Sequence, residues 1–202
     1  MRKIFDMDNP LMRGLSVAAD LILLNALTLL CSLPIVTAGA AWAALSETSL
    51  RFVRAEEGYL LRDYFRVFRA SLKRGIPLGL LFFAAAALLY FDYLAAAAYA
   101  PPMRVVIVAI ALLVLGAGLY AFALLGHFGS PLGRTLKNAV TLAVGYFPRT
   151  AGMLVFTVAF WLLCLLFWRL LLPTLLLFGL ALPAYICAIF LNAVFRKLEE
   201  KP

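Results

Sequence analysis

Apolar residues in this chain gather into long runs, and the run lengths set the first expectations. Ile76 to Tyr99, Val105 to Phe128, Ala151 to Leu172 and Thr174 to Phe195 each supply the roughly 20 residues of helix that a hydrocarbon core requires. A fifth run, Gly14 to Ser46, would be about 50 Å long as one helix, too long for a core of about 30 Å crossed once. The stretch LPIVTAG (33 to 39) supplies a bend: Pro34 lacks an amide donor and disfavours αR at Leu33, and Gly39 permits unusual backbone angles. The pattern therefore predicts two helices, about Pro10 to Leu33 and Ala38 to Ala55, forming a hairpin.

Between these runs the pattern becomes amphipathic. In residues 59 to 74, YLLRDYFRVFRASLKR, the bases Arg62, Arg66, Arg69 and Lys73 recur at spacings of four, three and four. Leu61, Tyr64, Phe65, Phe68 and Leu72 form the adjoining face. This predicts a helix lying at the lipid interface, its rings at the acyl boundary and its bases snorkelling toward anionic headgroups. Each base there contributes roughly 1 kcal/mol. A single-stranded nucleic acid stacked on the same rings needs a solvated groove, so nucleic acid is excluded as a partner beside a span opening at Ile76. Glu56-Glu57-Gly58 reads as the turn before this helix. Ser130-Pro131 reads as the N-cap and first residue of a second amphipathic segment.

An internal repeat is expected from the order of these elements. An amphipathic segment, a Gly-x-Pro or Gly-x-x-Pro junction and two long helices occur around Pro77 and again around Pro148, giving parallel units. The expected organisation is one membrane domain over 1–202. It comprises a hairpin (1–57), two amphipathic-plus-two-helix units (59–128 and 130–195) and a tail (196–202).

Charge orients this scheme. Cytoplasmic loops hold an excess of Lys and Arg, and an out-and-back hairpin over 14 to 46 puts 16 of the 18 bases on one side. A single crossing there leaves 13 against 5. The hairpin is expected, with both termini cytoplasmic. Composition agrees with a membrane protein: 65% of residues are hydrophobic and 14% charged, against about a quarter charged in soluble domains. The fold expected is all-α, a polytopic bundle of about six membrane helices plus interfacial amphipathic helices. Met1-Arg2-Lys3 with Ala38-Gly39-Ala40 has the outline of a cleaved signal. Asp6, Asp8 and Pro10 dilute its basic start, so the segment is expected to remain.

Polar residues inside apolar runs are the candidate chemistry. Asn25, Thr28 and Ser32 share one helix face that leads to Thr37, either lining a substrate path beside the Pro34 and Gly39 break or bonding helix to helix. Asp20 has a partner helix or Arg13 within reach. Asp92 is expected to pair with Arg104 or Arg169 at the outer surface. Glu47 and Arg51 form an i, i+4 pair in the favoured order. His127, the only histidine, reads as interfacial. Gly75, Gly79, Gly116, Gly118 and the alanines of 84–87 and 95–98 permit close helix approach. Cys31, Cys164 and Cys187 lack metal or disulfide spacing and read as small apolar residues. Metalloprotease, hydrolase-elbow and phosphate-loop motifs are absent from the sequence, so no enzyme activity, catalytic residue, metal or cofactor is expected.

Four segments carry a family resemblance: NPLM (9–12), ADLILLN (19–25), CSLPIVTAG (31–39) and EEGYLLRDYFRVFR (56–69). Together the chain resembles the YesL family of bacterial integral membrane proteins, whose activity is unassigned. The resemblance implies a multi-pass protein of the bacterial cell membrane, often encoded beside carbohydrate uptake and breakdown genes, and no catalytic residues. The function expected is a non-enzymatic accessory or regulatory component. Its partners would be anionic lipid and a membrane transporter subunit or a second copy of itself. The alternative is a small transporter or channel with its path near Pro34. A membrane enzyme built on Asp20, Glu47 or His127 lacks a second catalytic group at a workable spacing.

Overall fold

The computed structural model describes residues 10–54, 59–99, 102–167, 173–174 and 177–199. The described residues form seven α-helices and no strands: α1 (Pro10–Ser32), α2 (Ala38–Val53), α3 (Leu60–Tyr99), α4 (Met103–Phe128), α5 (Leu132–Gly145), α6 (Phe147–Leu166) and α7 (Ala181–Glu199). Among them α3, α4 and α6 are long and apolar enough to cross a membrane. The apolar stretches of α1 and α7, Ser16–Ser32 and Ala181–Arg196, are shorter. The 16 residues of α2 make only about 24 Å of helix.

The bend falls where Pro34 and Gly39 put it. A 3-10 turn at Ile35–Thr37 joins α1 to α2. The Thr37 hydroxyl donates to the Cys31 carbonyl at 2.7 Å, taking up an acceptor that the helix end leaves open. The bend packs midway along α3. Gly39 packs on Gly75 and Gly79 of α3, and Gly79 is about 30 Å along the helix from Tyr99. The α1–α2 pair is therefore a hairpin whose turn lies beside the start of the apolar half of α3.

The amphipathic stretch differs from expectation too. Instead of a separate interfacial helix, residues 60 to 99 form one helix of 40 residues with Pro77 inside it, about 60 Å long. An interior proline removes a backbone hydrogen bond at a cost of about 3 kcal/mol. Here the turn around it is clamped, because Gly75 and Gly79 on either side of Pro77 lie against Gly39 and Ala40. The equivalent junction before Pro148 has no such clamp. Tyr146 leaves helical geometry at φ −110° and ψ 41°, so α5 and α6 stay separate. The two expected repeat units thus share an order of segments but are joined differently. The α5 start also shifts: Pro131, extended at φ −63° and ψ 147°, is the N-cap and Leu132 the first helical residue.

Packing is thick at the basic end of the bundle and thin at the other. One core gathers Tyr120, Leu124, Met153, Leu191 and Phe195 from α4, α6 and α7; the second gathers Leu24, Leu45, Tyr64 and Ala181 from α1, α2, α3 and α7. α2 runs through the middle, with Ala40, Ala41, Ala43, Ala44 and Leu45 fully buried. Beyond it, the distal halves of α3, α4 and α6 carry exposed apolar side chains such as Leu88, Phe91, Val105, Leu113, Leu162 and Leu165. That surface suits lipid rather than water. In the fourth apolar run residues 173–174 and 177–178 are helical, a turn follows at Gly179 and Leu180, and α7 runs from Ala181 through Phe195 to Glu199.

Candidate functional site

Buried polar groups concentrate where α2 meets α3, α4 and α7, toward the basic end. Small residues bring the helices together there. A Cβ on Gly39 would collide with the Gly75 carbonyl, one on Gly75 would lie 2.7 Å from the Ala40 Cα, and one on Gly126 would collide with the Ala43 carbonyl. The Gly126 contact sets α4 against the face of α2 that carries Glu47. Beyond it α4 ends at Gly129, whose φ of +54° is the left-handed cap that glycine adopts without strain.

Glu47 is 3% exposed, and its two carboxylate oxygens are used on different helices. Oε1 accepts from Arg51 Nε at 3.0 Å, and Oε2 meets His127 Nδ1 at 2.9 Å. Arg51 extends the chain to Asp63 at 3.7 Å, and Arg66 holds the same Asp63 oxygen at 2.7 Å. Paired with Arg51, the Glu47 carboxylate only accepts, so Nδ1 of His127 carries the proton facing it. The expected Glu47–Arg51 pair is present, but it is one link in a network joining α2, α3 and α4. Sequence reading placed His127 alone at an interface; its carboxylate partner lies 80 residues away. Nearby, Arg54 Nε donates to Asn192 Oδ1 at 3.0 Å, fastening α2 to α7.

The stripe on α1 is built into the bundle. Asn25 and Thr28 are fully buried and Ser32 is half-buried. Asn25 Oδ1 accepts from the amides of Leu180 at 2.7 Å and Ala181 at 3.2 Å, so it caps the start of α7 from another helix. Thr28 donates to its own Leu24 carbonyl at 2.8 Å. Replacing Asn25 by Leu strands two amides, and a buried unsatisfied donor costs about 1–3 kcal/mol. The expected result is a lower thermal unfolding midpoint in detergent with the helical content at low temperature unchanged. An unaltered midpoint would remove the capping role.

On α3, Arg62, Arg66, Arg69 and Lys73 are all exposed on one side, as their spacing predicts. Tyr64 is not with them: it is fully buried, stacked on Phe68 with centroids 6.3 Å apart and packed among α1 and α2. It is a core residue rather than an interfacial one, whereas Phe65 is 40% exposed. Asp20 is half-buried. At the far end, Asp92 is exposed and makes no ion pair with Arg104 among the described residues. Arg104 lies over the Tyr93 ring instead, 4.8 Å from its centroid. The Arg13 side chain, Glu56 to Gly58 and Arg169 lie outside the described residues.

Between the distal halves of α3 and α4 and the start of α2 lies a groove of about 560 Å³. Trp42, Phe82, Phe83, Tyr90, Tyr93 and Phe122 give it aromatic walls, with Gly79, Ala86 and Gly118 making room. Sequence reading missed it, although the small residues of α3 and α4 that it singled out form much of the floor. Among the described residues no three His, Cys, Asp or Glu side chains converge on a common point that could hold a metal. No curated protein and no solved structure matches the chain. Residues 21–93 match the family described as a protein of unknown function, DUF624, a stretch that takes in most of α1, the Pro34 bend, all of α2 and the basic stripe of α3.

Proposed function

We propose that the protein is a non-enzymatic integral membrane protein that docks a partner membrane protein through the basic face of α3. In this reading six helices sit in the bilayer. α3, α4, α6 and α7 cross, α1 and α2 enter as a re-entrant hairpin, and α5 lies along the cytoplasmic surface. Both termini are then cytoplasmic, in agreement with the charge asymmetry of the sequence. The observation that carries the proposal is the exposed ladder Arg62, Arg66, Arg69 and Lys73 at one end of a filled bundle. Among the described residues, Arg66 alone of these has an acidic partner, Asp63. The resemblance to YesL proteins supports a bacterial cell membrane location and a partner belonging to a carbohydrate uptake system. A transport path past Pro34 is the less favoured reading, because Asn25 is engaged by α7 and Thr28 by its own helix.

The test is charge reversal. With Arg62, Arg69 and Lys73 all changed to Glu, the exposed face is altered and the buried Tyr64 side of α3 is not. At roughly 1 kcal/mol per base near an acidic surface, crosslinking to an acidic membrane partner in native membranes should fall by tenfold or more. An identical set of crosslinked proteins from parent and variant, or none from either, overturns the docking role. Solute flux in reconstituted vesicles that disappears on Asn25→Leu would move the assignment to transport.

A further inference from the structure

α5 joins two helices long and apolar enough to cross a membrane, α4 and α6, through residues 129–131 at one end and Tyr146 at the other. Its level is therefore set by theirs. It opens at the end of α4, where the Thr135 hydroxyl bonds to the carbonyls of Ser130 and Pro131, but it does not stay there. The Thr150 hydroxyl, in the first turn of α6, donates to the Ala143 carbonyl at 2.9 Å and lies 3.3 Å from the Tyr120 hydroxyl. Tyr120 is about 12 Å back along α4 from Phe128. α5 thus slopes from the end of α4 toward the apolar part of the bundle, with its N-terminal half outermost.

Two exposed stripes run along this slope. Gly133, Lys137, Val140 and Val144 recur at spacings of four, three and four, and the exposed Phe147 follows beyond the Tyr146 break. Arg134, Asn138, Thr141 and Gly145 recur beside them at the same spacings. The opposite face, Thr135, Ala139, Leu142 and Ala143, is buried. Val140, Val144 and Phe147 are 47%, 58% and 69% exposed, and all three fall on the deeper part of the slope. Both bases, Arg134 and Lys137, fall on the outer part. Apolar side chains deep and long basic ones shallow follow the gradient of a lipid leaflet from acyl chain to headgroup. Charge selects the kind of headgroup. Between Asp92 and Glu199 the chain has no acidic residue, and at this end Glu47 and Asp63 are engaged by Arg51, His127 and Arg66. Arg134 and Lys137 therefore have no carboxylate partner among the described residues. Arg74 brings a further base to the α4–α5 corner, its Nη1 3.7 Å from where a Cβ on Gly129 would stand.

We propose that α5 is a tilted interfacial helix that binds anionic lipid, with Arg134 and Lys137 on the headgroup phosphates and Val140, Val144 and Phe147 in the upper acyl region. This contact rests on the membrane-surface position of α5 in the proposed function and is independent of the α3 docking face.

Gly133 and Val144 share one exposed stripe and measure the slope, and nothing lies within 4 Å of a Cβ on Gly133. With Trp42, Trp161 and Trp168 changed to Phe, Gly133→Trp or Val144→Trp is introduced into the full chain. Each variant is reconstituted into phosphatidylcholine vesicles holding a minor fraction of chain-brominated phosphatidylglycerol, or the same fraction of equally brominated phosphatidylcholine. Emission from Val144→Trp should be quenched more strongly than that from Gly133→Trp by either lipid. For Val144→Trp, phosphatidylglycerol should be about fivefold more effective than phosphatidylcholine, the factor one base contributes beside an anionic headgroup. Arg134→Gln with Lys137→Gln should make the two lipids equivalent, while Arg134→Lys should keep the preference. Weak quenching of both positions overturns the proposal, since α5 then stands in water, and equal quenching of the two positions removes the slope. Equal quenching of Val144→Trp by the two lipids overturns the anionic contact. If the preference survives the α5 substitutions but is lost on charge reversal of Arg62, Arg69 and Lys73, the headgroups are read by α3 and the proposal falls. Crosslinking from position 144 to another protein, with emission protected from both lipids, assigns this face to a protein partner instead. The crosslinking test of the α3 face succeeds or fails whatever these spectra show.

Discussion

Glu47→Ala lowers the stability of the protein by about 3–5 kcal/mol, the cost of removing one partner from a buried charge pair. Total stabilities run to about 5–15 kcal/mol, so the variant unfolds far earlier in a thermal or denaturant series in the same detergent. The size of the effect follows from what is left behind. Arg51 and His127 approach from α2 and α4, and both lose the acceptor that brought them together at 3.0 and 2.9 Å. Glu47→Gln keeps the shape and one acceptor, and should retain part of the loss. His127→Ala should cost less in a Glu47→Ala background than in the parent, because the two side chains share one contact. Equal costs for His127→Ala in the two backgrounds would mean that the Glu47–His127 contact does not couple to folding.

The parts of the fold that were legible in the sequence are those fixed by local chemistry. Pro34 and Gly39 set the break, and α1 and α2 end within a residue or two of expectation, at Ser32 and Val53. The spacing of Arg62, Arg66, Arg69 and Lys73 set their common exposure. What was not legible depends on which surface each helix presents to which neighbour. Tyr64 belongs to a second pattern on the same helix: Tyr64, Val67, Ser71, Gly75 and Leu78 are buried at spacings of three, four, four and three. That uncharged stripe, beside the basic one, was the available signal that one face of α3 is gripped by other helices. Continuity through Pro77 needed the Gly39 clamp, whose residues are separated by the α2–α3 connection. His127 gave even less sign. Nothing near it in sequence is acidic, and its partner becomes near only because Gly126 allows α4 to touch α2. The packing partner of the α1–α2 turn was hidden for a related reason: a count of bases sees which side each loop occupies, but not which helix a turn without charges packs on.

Gly75→Ala is expected to be strongly disruptive, as are methyls at Gly39 and Gly126, which also meet backbone. A Cβ at this position meets the Cα of Ala40 at 2.7 Å and its amide nitrogen at 2.8 Å. These are backbone atoms, which no rotamer change can move aside. Both belong to elements held elsewhere, α2 through the Glu47 network and α3 through the packing of Tyr64, so relief requires the two helices to separate. Overpacking of a tight core costs about 1–3 kcal/mol and occasionally more; a backbone contact on both sides of Pro77 puts this case at the upper end. The loss is larger than distance alone gives, because opening the clamp also releases the proline turn that keeps α3 in one piece. Gly133→Ala on α5 is the matched comparison. Nothing lies within 4 Å of its Cβ, and the better helix propensity of alanine stabilises by up to about 1 kcal/mol. Thermal unfolding of both variants in one detergent should therefore move in opposite directions. Gly39→Ala combined with Gly75→Ala should cost less than the sum of the two, since each opens the same contact. If Gly75→Ala unfolds with the parent midpoint, α2 and α3 do not meet at this crossing. The placement of the α1–α2 turn beside the middle of α3 would fall with that contact, because the turn is located there by Gly39, Gly75 and Gly79.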